Sequence, residues 1–192
     1  MIGWVGPADV AAYGGHGSAQ SLPRELVIHG DSTLRQRFVR ELKSLRAKVS
    51  FVHTGFPNAG PVEAGLQAEV LATFSAAHCA SSAASPCGLS VLANAAGAAV
   101  NITLTRKHVL VDATSLGNTA VRAGPLPKPV DGLLRVHVIV DHAIIELIVN
   151  HQTAFVVYAE PTKDATKYAL FGDDPGATLQ VWPLASPAHS YD

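Results

Sequence analysis

The sequence predicts an all-β protein: an antiparallel, concanavalin-like β-sandwich of two packed sheets, with about ten or more short strands. Three observations lead there. Short segments that alternate apolar and polar residues recur along the 192-residue chain between clusters of Gly, Pro, Asn, Asp and Ser. No segment sustains helical periodicity beyond a turn or two. The third observation is Leu133–Tyr158, LLRVHVIVDHAIIELIVNHQTAFVVY, the densest β-forming stretch. Read as one straight strand, it mixes core and solvent residues on a single face. A two-residue turn at His142–Ala143 sorts them. Val140 then faces Ile145 and Val138 faces Leu147, so Val136, Val138, Val140, Ile145, Leu147 and Val149 form one apolar face. The other face carries His137, Ile139, Asp141, Ile144, Glu146 and Ile148 and is mixed. A second turn near Asn150–Gln152 returns the chain through Ala154–Tyr158, so a three-strand meander is expected at the centre of an antiparallel sheet.

Taken in order, residues 1–20 read as a connector rich in Gly and Ala, with one short strand at Ile2–Val5. Gly14-Gly15-His16-Gly17 has no leading strand, following helix or Lys-Ser/Thr, so it is read as linker rather than a phosphate cradle. The sandwich is expected over residues 21–186, with a frayed tail at 187–192. Pro23 stands at a strand entrance, where its missing N–H is tolerated. Leu26–His29 and Leu34–Phe38 form a hairpin around Gly30-Asp31-Ser32, a turn-forming trio. Val39–Arg46 reads as a single helical turn or an irregular edge, and Ala47–Thr54 returns to alternation. Phe56–Pro61 is a loop, Gly65–Phe74 a half-buried strand, and Ala76–Pro86 a surface loop of small residues. Gly88–Leu92, Ala99–Thr105 and His108–Asp112 are three more strands, followed by a turn-rich connection over residues 113–132. After the meander, Pro161–Lys167 is a loop, and Tyr168–Phe171 and Thr178–Trp182 are the last strands.

Charged residues make up 15% and apolar ones 48%, the balance of a globular domain. The net charge is −1, without a basic block, so no nucleic-acid partner is expected, since that needs a cationic footprint. No apolar run approaches the roughly 20 residues of a membrane span, so no membrane role is expected. The N-terminus lacks the basic start and apolar core of a signal peptide and reads as a chain entered partway through something larger. The compartment is left open. Cys79 and Cys87 fit no zinc motif. They are expected to be two separate thiols, with a local disulfide closing a short loop as the alternative. Asn101-Ile102-Thr103 is a glycosylation sequon of a kind that chance often supplies.

Several segments together resemble the C-terminal β-sandwich module of glycoside hydrolase family 32, the invertases, inulinases and levanases. In order they are Ile2-Gly3-Trp4, Ser21-Leu22-Pro23-Arg24-Glu25-Leu26, VRELKSLR over Val39–Arg46, GLQAEVLATF over Gly65–Phe74, and CGLSVL over Cys87–Leu92. The most telling is Val140-Asp141-His142-Ala143-Ile144-Ile145-Glu146, similar to the family's Val-Asp-x-Ser-x-x-Glu segment, with Ala143 departing from its serine. The resemblance implies that the Gly-Trp segment belongs to the last strand of a five-bladed propeller and that Leu-Pro-Arg-Glu-Leu opens the sandwich. It also implies a retaining scheme in which two carboxyl groups stand roughly 5–5.5 Å apart. The family's Trp-x-Asn-Asp-Pro-Asn-Gly, Arg-Asp-Pro and Glu-Cys signatures belong to the propeller, and none occurs in this sequence. Asp173-Asp174-Pro175 only echoes one of them and reads as turn punctuation.

The remaining chemistry is thin. Asp141 and Glu146 become diagonal neighbours in the hairpin register, about 7 Å apart at Cα, the best acid/base pair available, yet on a flat face. A structural or interface role is expected for them. Of nine histidines, His137 and His142 flank Asp141, but a turn at His142 aims its side chain away, so no metal site is expected. For a His78-Cys79 dyad no base-orienting partner is in view in the sequence, so no nucleophilic role is expected. Trp4 and Trp182 are expected to pack rather than stack on sugars. No catalytic, cofactor-binding or metal-ligating residue is assigned and no cofactor is expected. The expected role is a non-catalytic module that self-associates or docks a protein partner. The alternatives are a lectin-like carbohydrate binder, weakly supported by 6% aromatics, or a component of an active sucrose or fructan hydrolase.

Overall fold

The computed structural model describes residues 1–2, 4–5, 19–47, 51–54, 60–81 and 86–185. Its strands run in chain order β1 (Trp4–Val5), β2 (Ala19–Gln20), β3 (Arg24–Ile28), β4 (Leu34–Phe38), β5 (Phe51–Thr54), β6 (Val62–Glu63), β7 (Gln67–Ser75) and β8 (Cys87–Ala93). They continue as β9 (Val100–Leu104), β10 (His108–Asp112), β11 (Arg122–Pro125), β12 (Leu133–Asp141), β13 (Ile144–Val149), β14 (Thr153–Tyr158), β15 (Lys167–Phe171) and β16 (Thr178–Pro183). A helix α1 spans Ala76–Ser81. Two six-stranded sheets, ordered β11-β10-β9-β8-β15-β6 and β14-β13-β12-β7-β16-β5, form the sandwich, and β1-β2 and β3-β4 are separate two-stranded ribbons. The all-β, two-sheet class read from the sequence is the class observed.

Alternation builds the core. Ala68, Val70, Ala72 and Phe74 of β7 join Leu134, Val136, Val138 and Val140 of β12 and Ile145, Leu147 and Val149 of β13 on the inner face. Leu89, Val91, Val100, Ile102 and Leu104 meet them from the other sheet. Each such side chain contributes roughly 1.5–3 kcal/mol by leaving water. The hairpin register is the expected one: Val140 faces Ile145, Val138 faces Leu147 and Asp141 faces Ile144.

Several local expectations need correction. The meander β12-β13-β14 is one half of its sheet, with β14 at the edge; the centre is the pair β12 and β7. Local sequence sets a meander but not which side the long-range partner takes. Residues Ala76–Ser81 form α1 rather than loop, because alanine has the highest helix propensity. The connection over 113–132 holds a 3-10 turn at Thr114–Leu116 and the edge strand β11. Strand β11 was hidden by Gly124 and Pro125. A Cβ at Gly124 would stand 2.8 Å from Phe155 Cζ, and an edge strand tolerates proline. The VRELKSLR segment makes the expected helical turn, a 3-10 helix over Arg40–Leu45. The Gly14–Gly17 run, Lys48–Ser50 and the 186–192 tail lie outside the described residues.

Candidate functional site

The outer face of the β12-containing sheet carries His137, Glu146 and Trp182. Its registry forms cross-strand rows. One row runs Trp182, Glu69, Ile139 and Glu146; the next runs Gln180, Leu71, His137 and Ile148. The segment from Ser21 to Arg46 crosses this face. Phe38 packs on Ile139 and Ile148, with Leu22, Leu42, Ala154 and Leu184 around them.

Two buried carboxylates anchor that segment. Glu146, 2% exposed, accepts Leu22 N–H and Arg24 Nη2, each at 2.6 Å. Glu69 accepts Arg46 Nε and Nη2, both at 2.7 Å, and lies 2.8 Å from His137 Nε2. Burial pushes the Glu69 carboxyl up. Hydrogen bonds from Arg46 and His137, with their charges, outweigh it and hold the group at about 2. Arg46 in turn lies over the Trp182 ring at 3.8 Å, and Phe38 meets the His137 ring edge-on at 4.9 Å. The paired acids, the arginines and the tryptophan thus form one clamp between segment and sheet, and Trp182 packs as expected.

Asp141 does not join Glu146. It is exposed, accepts Gln67 Nε2 at 2.7 Å, and stands 3.1 Å from His142 Nδ1. His142 sits in the turn at φ 52 and His137 faces Glu69, so the three do not converge. Among the described residues no cluster of three His, Cys, Asp or Glu could hold a metal ion. Cys79 and Cys87 are disulfide-bonded, with Cα atoms 5.2 Å apart, which overturns the expectation of two separate thiols. The helical turn of α1 brings Cys79 back against β8, a proximity that no spacing rule foretells. His78 stands 3.7 Å from Asp174. Asp174 is 2% exposed and accepts Ser75 N–H and Gly176 N–H, so it fastens its turn to β7. Asn101 Oδ1 accepts Ser90 Oγ at 2.7 Å in the opposite sheet. The Trp4 side chain lies outside the description.

The sequence reading missed Arg24, Arg46 and Glu69. The available signal was Glu69 itself, a charge in the middle of the apolar strand Gly65–Phe74. Beyond the clamp, the uncovered end of the same face forms a hollow of about 310 Å³ whose polar wall includes Arg37, Arg135, His137, His151 and Gln180.

The fold is a two-sheet β-sandwich whose outer face carries this clamp. Residues 41–183 match the family described as "Glycosyl hydrolases family 32 C terminal", and the chain belongs to it. Its architecture is shared with sucrose-6-phosphate hydrolase from Lactobacillus gasseri (TM-score 0.77, 20% identity, 96% of this chain and 38% of that one). Exo-inulinase from Aspergillus awamori aligns with TM-score 0.78 and 21% identity over 96% of this chain and 40% of that one. Fructan 1-exohydrolase IIa from Cichorium intybus aligns with TM-score 0.69 and 17% identity over 96% and 45%. The chain therefore spans about two fifths of the length of these proteins. No curated protein matches it.

Proposed function

We propose that this chain is the non-catalytic β-sandwich module of a β-fructosidase-like protein and acts as a structural and docking unit. The observation that carries this reading is the state of its buried acids. Glu69 and Glu146 each hold an arginine of the Ser21–Arg46 segment, so neither is available as nucleophile or proton donor. A retaining glycosidase needs two carboxyl groups roughly 5–5.5 Å apart facing one sugar. The family signatures that supply them are missing from the sequence. The docking half of the reading rests on the β3–β4 hairpin, where Leu26, Val27, Ile28 and Leu34 are 42%, 49%, 77% and 59% exposed. Ile28 and Leu34 face each other across the ribbon, and exposed apolar surface of this kind marks contact sites.

The discriminating experiment has two arms. Purified chain incubated with sucrose and inulin should release no fructose, and calorimetric titration with the same sugars should give no saturable heat. Turnover in the first arm would overturn the non-catalytic assignment; binding in the second would favour the lectin-like reading. Light scattering at rising concentration should show self-association, and a strictly monomeric species would remove the case for self-association through the hairpin.

A further inference from the structure

The Ser21–Arg46 segment covers the middle of the outer face but not its far end. There Thr178, Thr73 and Arg135 form the next row beyond Gln180, Leu71 and His137. The β4 side of the hairpin closes one wall through Arg37. The β13–β14 turn, positioned by Gln36 N–H donating to the His151 carbonyl at 2.7 Å, closes another. Leu71 and Ile148 help to floor the hollow.

Its lining has a one-sided chemistry. It includes two arginines and two histidines, but no Asp or Glu and no Phe, Tyr or Trp. A site for neutral sugars needs acceptors for hydroxyl protons and a flat ring to stack on. This hollow offers acceptors in Thr73, Thr178 and Gln180 but no Phe, Tyr or Trp ring to stack on. Asn150 is consumed in the frame, with Oδ1 accepting Arg135 N–H and Nδ2 donating to the Lys128 and Leu133 carbonyls. What remains is largely a set of donors. Arg37 is already compensated by Glu25 at 2.6 Å, and His137 is taken up by Glu69 at 2.8 Å. Arg135 is not. It is half-buried, gives Nη1 to the Val130 carbonyl at 3.2 Å, and has no carboxylate partner among the described residues. A planar guanidinium with donors to spare, held in a concavity, matches the two oxygens of a phosphate or carboxylate.

We propose that this hollow binds a small oxyanion, a phosphate or carboxylate group, with Arg135 as its principal ligand and His151 and Gln180 as further donors. The site borders the clamp that fastens Ser21–Arg46 and shares His137 with it, and it stands whether or not the chain is catalytically inert.

Titration calorimetry of the full chain at low ionic strength, with inorganic phosphate in one arm and acetate in the other, tests this; the tighter arm names the group. Saturable binding is expected, weakened at least tenfold in Arg135→Gln at unchanged melting temperature and less than twofold in Arg40→Gln, an exposed arginine outside the hollow's lining. Absence of saturable heat in both arms, or equal weakening by the two substitutions, would overturn the proposal. Should Arg135→Gln fold poorly, the imidazole NMR signals of His151 in the unmodified chain decide. A saturable shift with phosphate or acetate supports the site, and a flat titration sinks it.

Discussion

Glu69 and Glu146 stand on either side of Ile139, each directly opposite it in a neighbouring strand. Two carboxylates so placed in a dry face are tolerable only if each has its own cation, and Arg46 and Arg24 supply them. Removing one partner of such a pair strands a buried charge. Arg24→Ala should therefore lower unfolding stability by about 3–5 kcal/mol, with Glu146→Gln lowering it too and the double substitution losing less than the sum of the two. Chemical denaturation measures this, and strict additivity would show that Arg24 and Glu146 act independently. The Glu69 carboxyl makes a second prediction. Its folded value of about 2 lies below the ordinary 4.5, so its contribution is present above pH 4.5 and is lost as pH falls toward 2. The difference is worth at most roughly 3 kcal/mol. Melting temperature against pH should fall more gently over that acid window in Glu69→Gln than in the parent, and superimposable slopes would refute the linkage. The sequence singled out Glu146 and missed Glu69. Their partners were illegible, because Arg24 lies 122 residues from Glu146 and no local pattern encodes such a pairing.

At the scale of elements, the legible parts were those whose side-chain period and turn chemistry agree. The β12–β13 hairpin is the clearest case, since a slip of β13 by one residue would turn Glu146 into the core and Leu147 out of it. The β3–β4 hairpin is another, with Asp31 accepting from Thr33 in its turn as the Gly30-Asp31-Ser32 trio suggests. Short elements held by distant contacts were not legible: β11 is an edge strand paired only to β10, and β6 is two residues paired to β15. Helix α1 is six residues long, too short to stand alone. Its attachment is the Cys79–Cys87 disulfide, which closes a separation of 8 residues. Chain-entropy reasoning for a loop of that size gives roughly 2.5 kcal/mol of stabilisation. Replacing both cysteines by serine should cost about that much in a denaturant titration and raise amide exchange in α1 before that of β12. Unchanged exchange in α1 would mean that the helix is held by packing alone.

For the whole molecule, the clamp and the hairpin are two ends of one device. One face of the β3–β4 ribbon runs from base to tip: Arg24 and Phe38, paired across it, are buried on the sandwich, Leu26 faces Gln36 midway, and Ile28 and Leu34, paired at its far end, are exposed. A ribbon that is anchored at its base and apolar at its tip presents a ready contact for a second surface, because a two-stranded sheet has unpaired edges on both sides. The sandwich core does not depend on that tip, so tip and core should respond differently to substitution. In the paired substitution Ile28→Lys and Leu34→Lys, the melting temperature should stay within a few degrees of the parent, since exposed positions away from special contacts shift stability by roughly ±0.5 kcal/mol. The same pair should move the light-scattering mass of a self-associating sample toward that of a single 20.0 kDa chain. A mass unaffected by the two lysines would place the contact elsewhere, with the free edge of β14 as the next surface to substitute.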